Sequence, residues 1–256
     1  MQFIDTHCHI HFEDYGLNAD EVISAANQEG VVGFLCVGTT LEDSKDGVFF
    51  VKNRKNTWAT IGIHPHEAHH YFQNPDLLEN MILLVDQPKV VAIGECGLDY
   101  YYNHSPKEAQ KEIFRFQLDL AKKHNMPMIF HVRDAFDDFF DLYDQFSGIR
   151  GVVHSFTANK SVLDKITTRG LYVGLNGITT FSRDESQLRA AKAVPLQKLL
   201  LETDAPFLTP KPFRGTICQP KHVRVTAEFL SKLREESLQD IADFTTQNAK
   251  ELFNLK

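Results

Sequence analysis

Apolar residues fall in short unbroken runs at intervals along the chain, and the stretches between them carry helical spacing. Residues 31–37 read Val-Val-Gly-Phe-Leu-Cys-Val, the pattern of a strand buried on both faces of a parallel sheet. Similar runs occur at 58–63, 90–95, 128–131, 151–154, 171–175 and 199–202. Phe3 and Ile4 open an earlier one. Residues 18–29 space Val22, Ile23 and Ala26 for one helical face and end at Gly30. Residues 107–123 predict another helix, with Ile113, Phe116, Leu118 and Leu120 apolar and charges between them. The C-terminal stretch also reads as helical.

Eight strands alternating with helices predict an α/β chain closed into a (β/α)8 TIM barrel. The length of 256 residues suits one such barrel. No linker rich in Gly, Pro or Ser divides the chain, so residues 1–256 are expected to form a single domain. The rival architecture is an open, doubly wound sheet. Its dinucleotide-binding version is disfavoured, because no Gly-x-Gly-x-x-Gly follows the first strand.

Composition narrows the setting. A hydrophobic share of 43% is ordinary for a globular core. No long uncharged apolar run predicts a membrane span. The chain enters its first strand at once, without a basic segment and apolar block, so no signal peptide is expected and the cytoplasm is the default location. The four cysteines, Cys8, Cys36, Cys96 and Cys218, form no Cys-x-x-Cys pair and are expected to be reduced thiols. A net charge of −7 argues against a broad basic surface for duplex DNA. It leaves room for a local positive site made by metals and a few arginines.

The candidate chemistry lies where the apolar runs stop. In Asp5-Thr6-His7-Cys8-His9, side chains alternate faces, so His7 and His9 share one. Two imidazoles aimed at one volume are a ready pair of ligands for a divalent transition metal. Glu95, His131 and His154 each end a predicted strand, and Asp204 follows the last. In a barrel these strand ends converge on one mouth. Any one of them alone is more simply a structural residue; the set together predicts a metal site. His64 and His66 follow the third strand and would face the same mouth. A polar, solvated loop around Pro65 is the plainer alternative. His11, His69 and His70 are expected to be solvated. Glu202 and Asp99 are candidates to hold a ligand histidine in one tautomer.

These stretches resemble the TatD family of metal-dependent deoxyribonucleases, within the amidohydrolase superfamily. The resemblance rests on Phe3-Ile4-Asp5-Thr6-His7-Cys8-His9, Gly62-Ile63-His64-Pro65-His66, the segment 92–101, His131-Val132-Arg133-Asp134-Ala135, Val153-His154-Ser155-Phe156 and 201–206. It implies two divalent metal ions: His7, His9, Glu95 and Asp204 would hold one, and Glu95, His131 and His154 the other, with Glu95 bridging. Zinc, magnesium and manganese all suit such donors. It further implies hydrolysis of DNA phosphodiesters, shortening a single strand or strand end from its 3′ terminus, with no membrane or stable protein partner. Two cations can clamp a phosphodiester and activate water, Asp204 would also orient or deprotonate that water, and His64 or His66 could bind a phosphate oxygen or protonate the leaving alkoxide. Arg133 and Arg214 are candidate phosphate contacts; for Arg133 an ion pair with Asp134 or Glu95 competes. Tyr100, Tyr101 and Phe181 are candidates to stack bases. The alternative is a metal-dependent amide or ester hydrolase, against which Glu95 weighs, since many amidohydrolases carry a carboxylated lysine at that strand end. The chain departs from the family in 213–220 and at Val132, which leaves substrate contacts near the eighth strand open.

Overall fold

The computed structural model describes residues 1–255. Eight strands form one sheet in chain order: β1 (Phe3–Cys8), β2 (Val31–Val37), β3 (Thr57–Ile61), β4 (Val90–Asp99), β5 (Met128–Arg133), β6 (Gly151–Val153), β7 (Tyr172–Leu175) and β8 (Leu199–Leu201). The resolved pairings β3–β4, β4–β5, β6–β7 and β7–β8 are all parallel. At the closing seam, Cys8 bridges Ala205 in parallel. There the Asp204 N–H donates to the His7 carbonyl at 2.8 Å, and the His9 N–H to the Ala205 carbonyl at 2.7 Å. This is the expected (β/α)8 barrel.

Helices fill the gaps as the spacing predicts. They are α1 (Ala19–Gln28), α2 (Leu41–Val51), α3 (Ala68–Gln73), α4 (Leu77–Ile82) and α5 (Lys107–His124), followed by α6 (Phe136–Tyr143), α7 (Lys160–Thr168), α8 (Glu185–Ala193), α9 (His222–Arg234) and α10 (Leu238–Phe253). Several starts are fixed by side-chain oxygens that take up orphan backbone N–H groups: Asn18, Thr40, Asn159, Asp184 and Ser237.

Contacts are densest within two units, Met1–Leu35 together with the stretch from Val152 onward, and Cys36–Gly151. In the first, α10 anchors the sheet. Asn248 Nδ2 donates to the carbonyls of Leu196 and Leu199 at 2.7 and 2.8 Å, and Thr246 Oγ1 to that of Gln2 at 2.7 Å. In the second, Phe114, Phe130, Phe139 and Tyr143 form a buried aromatic cluster with ring centroids 5.1–6.0 Å apart. All four cysteines are fully buried and none is joined in a disulfide.

One boundary differs in a way that matters. The apolar pattern of the fourth strand ends at Glu95, but β4 continues to Asp99. Gly97 and Asp99 register with His131 and Arg133 on β5, so pairing carries the strand past the point where its side chains turn polar.

Candidate metal centre

In the first unit, β1 presents His7 and His9 on one face, as the alternation predicts. Their Nε2 atoms lie 3.2 Å apart. Asp204 Oδ1 is 3.5 Å from His7 Nε2 and 3.3 Å from His9 Nε2. Asp204 has a φ of +62°, a left-handed conformation that Asp tolerates better than most residues. That conformation follows the seam bonds described above and turns the carboxylate toward the two rings. His154, just beyond β6, stacks on His7 with centroids 4.2 Å apart and planes 18° from parallel. Its Nδ1 is 3.6 Å from Glu202 Oε1. Glu202 is buried and also accepts from Ser155 N–H at 2.5 Å and Asn176 Nδ2 at 3.3 Å. A Cβ on Gly174 would lie 2.2 Å from Glu202 Oε2, so only glycine leaves room for this carboxylate.

Asp5, two residues before His7 on β1, is fully buried. Its carboxylate accepts from Thr203 N–H, Thr203 Oγ1 and His7 N–H at 3.0, 2.6 and 3.2 Å. Burial pushes its carboxyl well above the usual range against those donations. For Asp204, desolvation acts upward too, but hydrogen bonding from His9 and the neighbouring imidazoles outweigh it and hold the carboxyl below its ordinary value.

In the second unit, Glu95 Oε1 is 2.8 Å from His131 Nδ1 and 3.5 Å from His64 Nε2, and the two nitrogens are 3.3 Å apart. Asp99 Oδ2 reaches His131 Nε2 and His66 Nε2, each at 3.0 Å. Burial alone would raise the Asp99 carboxyl. Hydrogen bonds from His131, His66 and the Tyr102 N–H overcome it and hold the group well below the carboxylate range.

The donor spacing suits a metal. A tetrahedral ion with bonds of about 2.0–2.1 Å keeps its ligands about 3.3 Å apart. The separations of 3.2, 3.3 and 3.5 Å among His7, His9 and Asp204 match that figure. Two imidazole lone pairs facing each other at 3.2 Å repel unless a proton or a cation lies between them. His7, His154 and Glu202 form a further cluster with candidate ligand atoms within 4.8 Å of one another, as do His64, Glu95 and His131.

His64 stands apart chemically. Its Nδ1 accepts the His66 N–H at 3.1 Å, so the neutral ring carries its proton on Nε2. Burial is the main cause that lowers its pKa to about 4, with the pull of Glu95 only partly offsetting it. At neutral pH the ring is therefore uncharged and a poor general acid, with its Nε2 turned toward Glu95 and His131.

Other expected residues fall into place differently. Arg133 sets its guanidinium carbon 4.2 Å from the Tyr101 ring centroid and 4.7 Å from that of Tyr102. Arg214 lies 4.0 Å over Phe181 and donates to the Thr209 carbonyl at 3.0 Å, which takes one Phe181 face from any base. Tyr100 is likewise engaged, its hydroxyl on Asp138 at 2.6 Å and Lys107 over its ring. His69 and His70 are exposed as expected, but His11 is buried beside Phe12, 5.1 Å between centroids. The turn after β1 folds His11 inward, which a reading of local polarity does not detect.

Sequence reasoning missed two buried glutamines on α5. Gln117 Oε1 accepts the Ile63 N–H at 2.8 Å and its Nε2 donates to the Ile63 carbonyl at 3.0 Å. Gln110 clamps Asp99 in the same way, at 2.8 and 2.9 Å. One steadies the segment leading to His64, the other the backbone of Asp99. The signal was present: both glutamines lie on the helical stripe that also carries Ile113 and Phe114.

The TatD related DNase family profile matches residues 4–254. An uncharacterized metal-dependent hydrolase of Bacillus subtilis, YabD, is 36% identical over 257 residues, covering 98% of each chain. The 3′-5′ ssDNA/RNA exonuclease TatD of Salmonella typhimurium is 34% identical over 249 residues, covering 94% of this chain and 95% of that protein. The crystal structure of YJJV, a TatD homologue from Escherichia coli, superposes with a TM-score of 0.91 at 28% identity over 99% of this chain and 98% of that one. With its donors at the strand ends of a (β/α)8 barrel and its motifs matched nearly end to end, the chain belongs to the family of TatD-related DNases.

Proposed function

We propose that this protein is a metal-dependent nuclease that hydrolyses phosphodiester bonds of single-stranded DNA or strand ends, removing nucleotides from the 3′ terminus. The His7–His9–Asp204 triangle carries the reading, because its donor separations fit a bound cation and its carboxylate is held ionised. The exonuclease name of the Salmonella relative supports the substrate and the polarity.

In this reading residues 1–256 act as one catalytic domain with two divalent ions, zinc, magnesium or manganese. His7, His9, Glu95 and Asp204 would hold one, and Glu95, His131 and His154 the other, with Glu95 common to both sets as the family resemblance implies. Bound cations polarise the phosphoryl oxygens and make water nucleophilic near neutral pH. Asp204 would orient or deprotonate the attacking water; held ionised, its carboxylate is free to accept that hydrogen bond. Glu95 fixes His131. His64 or His66, whose rings lie 4.3 Å apart and the second of which is braced by Asp99, would bind a phosphate oxygen or protonate the leaving alkoxide. Arg133 and Arg214 contact the strand. Among the described residues no helix is long and apolar enough to cross a membrane. Four thiols outside any disulfide suit a reducing compartment, and the cytoplasm is the one we assign.

The test is elemental analysis of the purified protein, then timed digestion of an end-labelled single strand with each metal added back. A ladder shortening from the 3′ end is expected. Metal-dependent cleavage of cyclic amides or small esters, with no action on the strand, would instead establish the amide or ester hydrolase.

A further inference from the structure

The tyrosines after β4 form an exposed cluster tied directly to the second donor set. Tyr101 and Tyr102 are 59% and 50% exposed, and their rings meet edge to face at 4.9 Å. Arg133 covers part of both. Tyr102 is further flanked by His104, nearly parallel at 5.7 Å, and by His66. Tyr101 has Arg133 against one face and retains most of its surface, so its second face is open to a ligand.

Asp99 links this cluster to the chemistry. Its Oδ1 accepts the N–H groups of Tyr101 and Tyr102, both at 3.0 Å. Its Oδ2 takes His131 and His66. One buried carboxylate thus sets the tyrosine backbone and two imidazoles in a common register. Arg133 is two residues beyond His131 on β5, on the same side of the strand and about 6.6 Å along it. The two rings are perpendicular, so the guanidinium can lie flat on at most one of them and keeps N–H groups at its edge, the geometry that grips phosphate.

We infer that Tyr101 and Arg133 form a nucleotide subsite: the open face of Tyr101 stacks on a nucleobase of the single strand, the edge of Arg133 takes a neighbouring phosphate, and Asp99 is the positioning residue that registers both to His131. The inference rests on the nuclease reading for its ligand class. A π-face is common to every base, so the subsite accepts strands without regard to sequence. Because it needs an unstacked base, it favours single strands over duplex, in keeping with the acidic net charge of the chain.

The experiment places 2-aminopurine at the 3′ end of a single-stranded oligonucleotide whose terminal linkages resist hydrolysis, and follows its fluorescence on titration with the metal-loaded protein. Quenching is expected with the wild type and with Tyr101→Phe, and its loss with Tyr101→Ala. With hydrolysable strands, Tyr101→Ala should raise KM about tenfold with a far smaller change in kcat. At about 1.4 kcal/mol per decade, that lies within the range of base–aromatic stacking. An abasic 3′ residue should bring wild type and Tyr101→Ala to within about twofold of each other.

Shortening of the strand by Tyr101→Ala at wild-type KM, or quenching unchanged by the substitution, overturns the subsite and leaves the nuclease reading standing. Quenching that depends on Tyr101 without any strand shortening overturns the nuclease reading and leaves the subsite standing.

Discussion

Asp99 Oδ2 lies 3.0 Å from His131 Nε2, while the opposite ring nitrogen faces Glu95 at 2.8 Å. With a carboxylate at each nitrogen, the ring cannot swing away from the donor set. A histidine fixed at one nitrogen by an acid and offered to a metal at the other is a recurring arrangement, and its outer partner typically changes metal affinity 10–100-fold when removed. Asp99→Asn should therefore weaken metal binding by roughly that factor, read by competition against a chromogenic chelator. Unchanged affinity would show that the bond is merely structural.

His131→Ala removes the donor itself. The expected result is a fall in bound metal per chain together with loss of hydrolysis. Dialysis of the wild type against chelator should reproduce the activity loss and be reversed by added metal. Full hydrolysis at normal metal stoichiometry in the variant would eliminate His131 as a ligand.

Gly174→Ala tests the support of His154. The added methyl would fall 2.2 Å from a buried carboxylate oxygen. Overpacking of this kind costs about 1–3 kcal/mol, and thermal denaturation should show a drop of several degrees. Glu202 would have to leave its bonds to Ser155 and Asn176, so metal affinity should decline in the same variant.

Gln117→Leu tests the clamp on Ile63. It leaves the Ile63 N–H and C=O without their partner in a buried setting, at about 1–3 kcal/mol per unsatisfied group. Denaturant titration should register the loss. Hydrolysis should fall more than unfolding explains, because the segment that aims His64 is no longer held.

His222 gives a pH signature away from the donor sets. Burial, aided by Lys221, lowers its pKa to about 4 from 6.5. Its Nδ1 accepts the Gln219 N–H at 3.2 Å, and a proton there would set donor against donor. The unfolded chain binds that proton below about 6.5 and the folded chain only below about 4. Stability is thus fully present above the unfolded value and is lost as pH falls between the two, at up to about 1.4 kcal/mol per pH unit. In His222→Gln, melting temperature should depend less steeply on pH across that window. An equally steep profile would mean that other groups govern acid unfolding.

Much of this was legible in the sequence for a physical reason. Strands buried on both faces are written as apolar runs, so a polar side chain that ends one stands out, as Glu95, His131 and His154 do. The alternation in β1 likewise puts His7 and His9 on one face. What stayed hidden depends on tertiary packing. Gln110 and Gln117 read as helix-surface residues until the peptide groups they clamp are known. The tautomer of His64 follows from one backbone N–H two residues away. Tyr100 and Tyr102 are neighbours of like composition, yet Asp138 and Lys107 engage the first and leave the second half exposed. His11 is polar and near a turn, and its burial follows from where the chain goes next.

The four cysteines carry a last consequence. Each is sealed in the interior, beyond the reach of an alkylating reagent while the protein holds its shape. Labelling of these sulfurs then becomes a clock for opening events: Cys8 and Cys218 time the unit that holds His7, and Cys36 and Cys96 the unit that holds His131. Comparing the two rates would reveal whether the two units open together or in sequence.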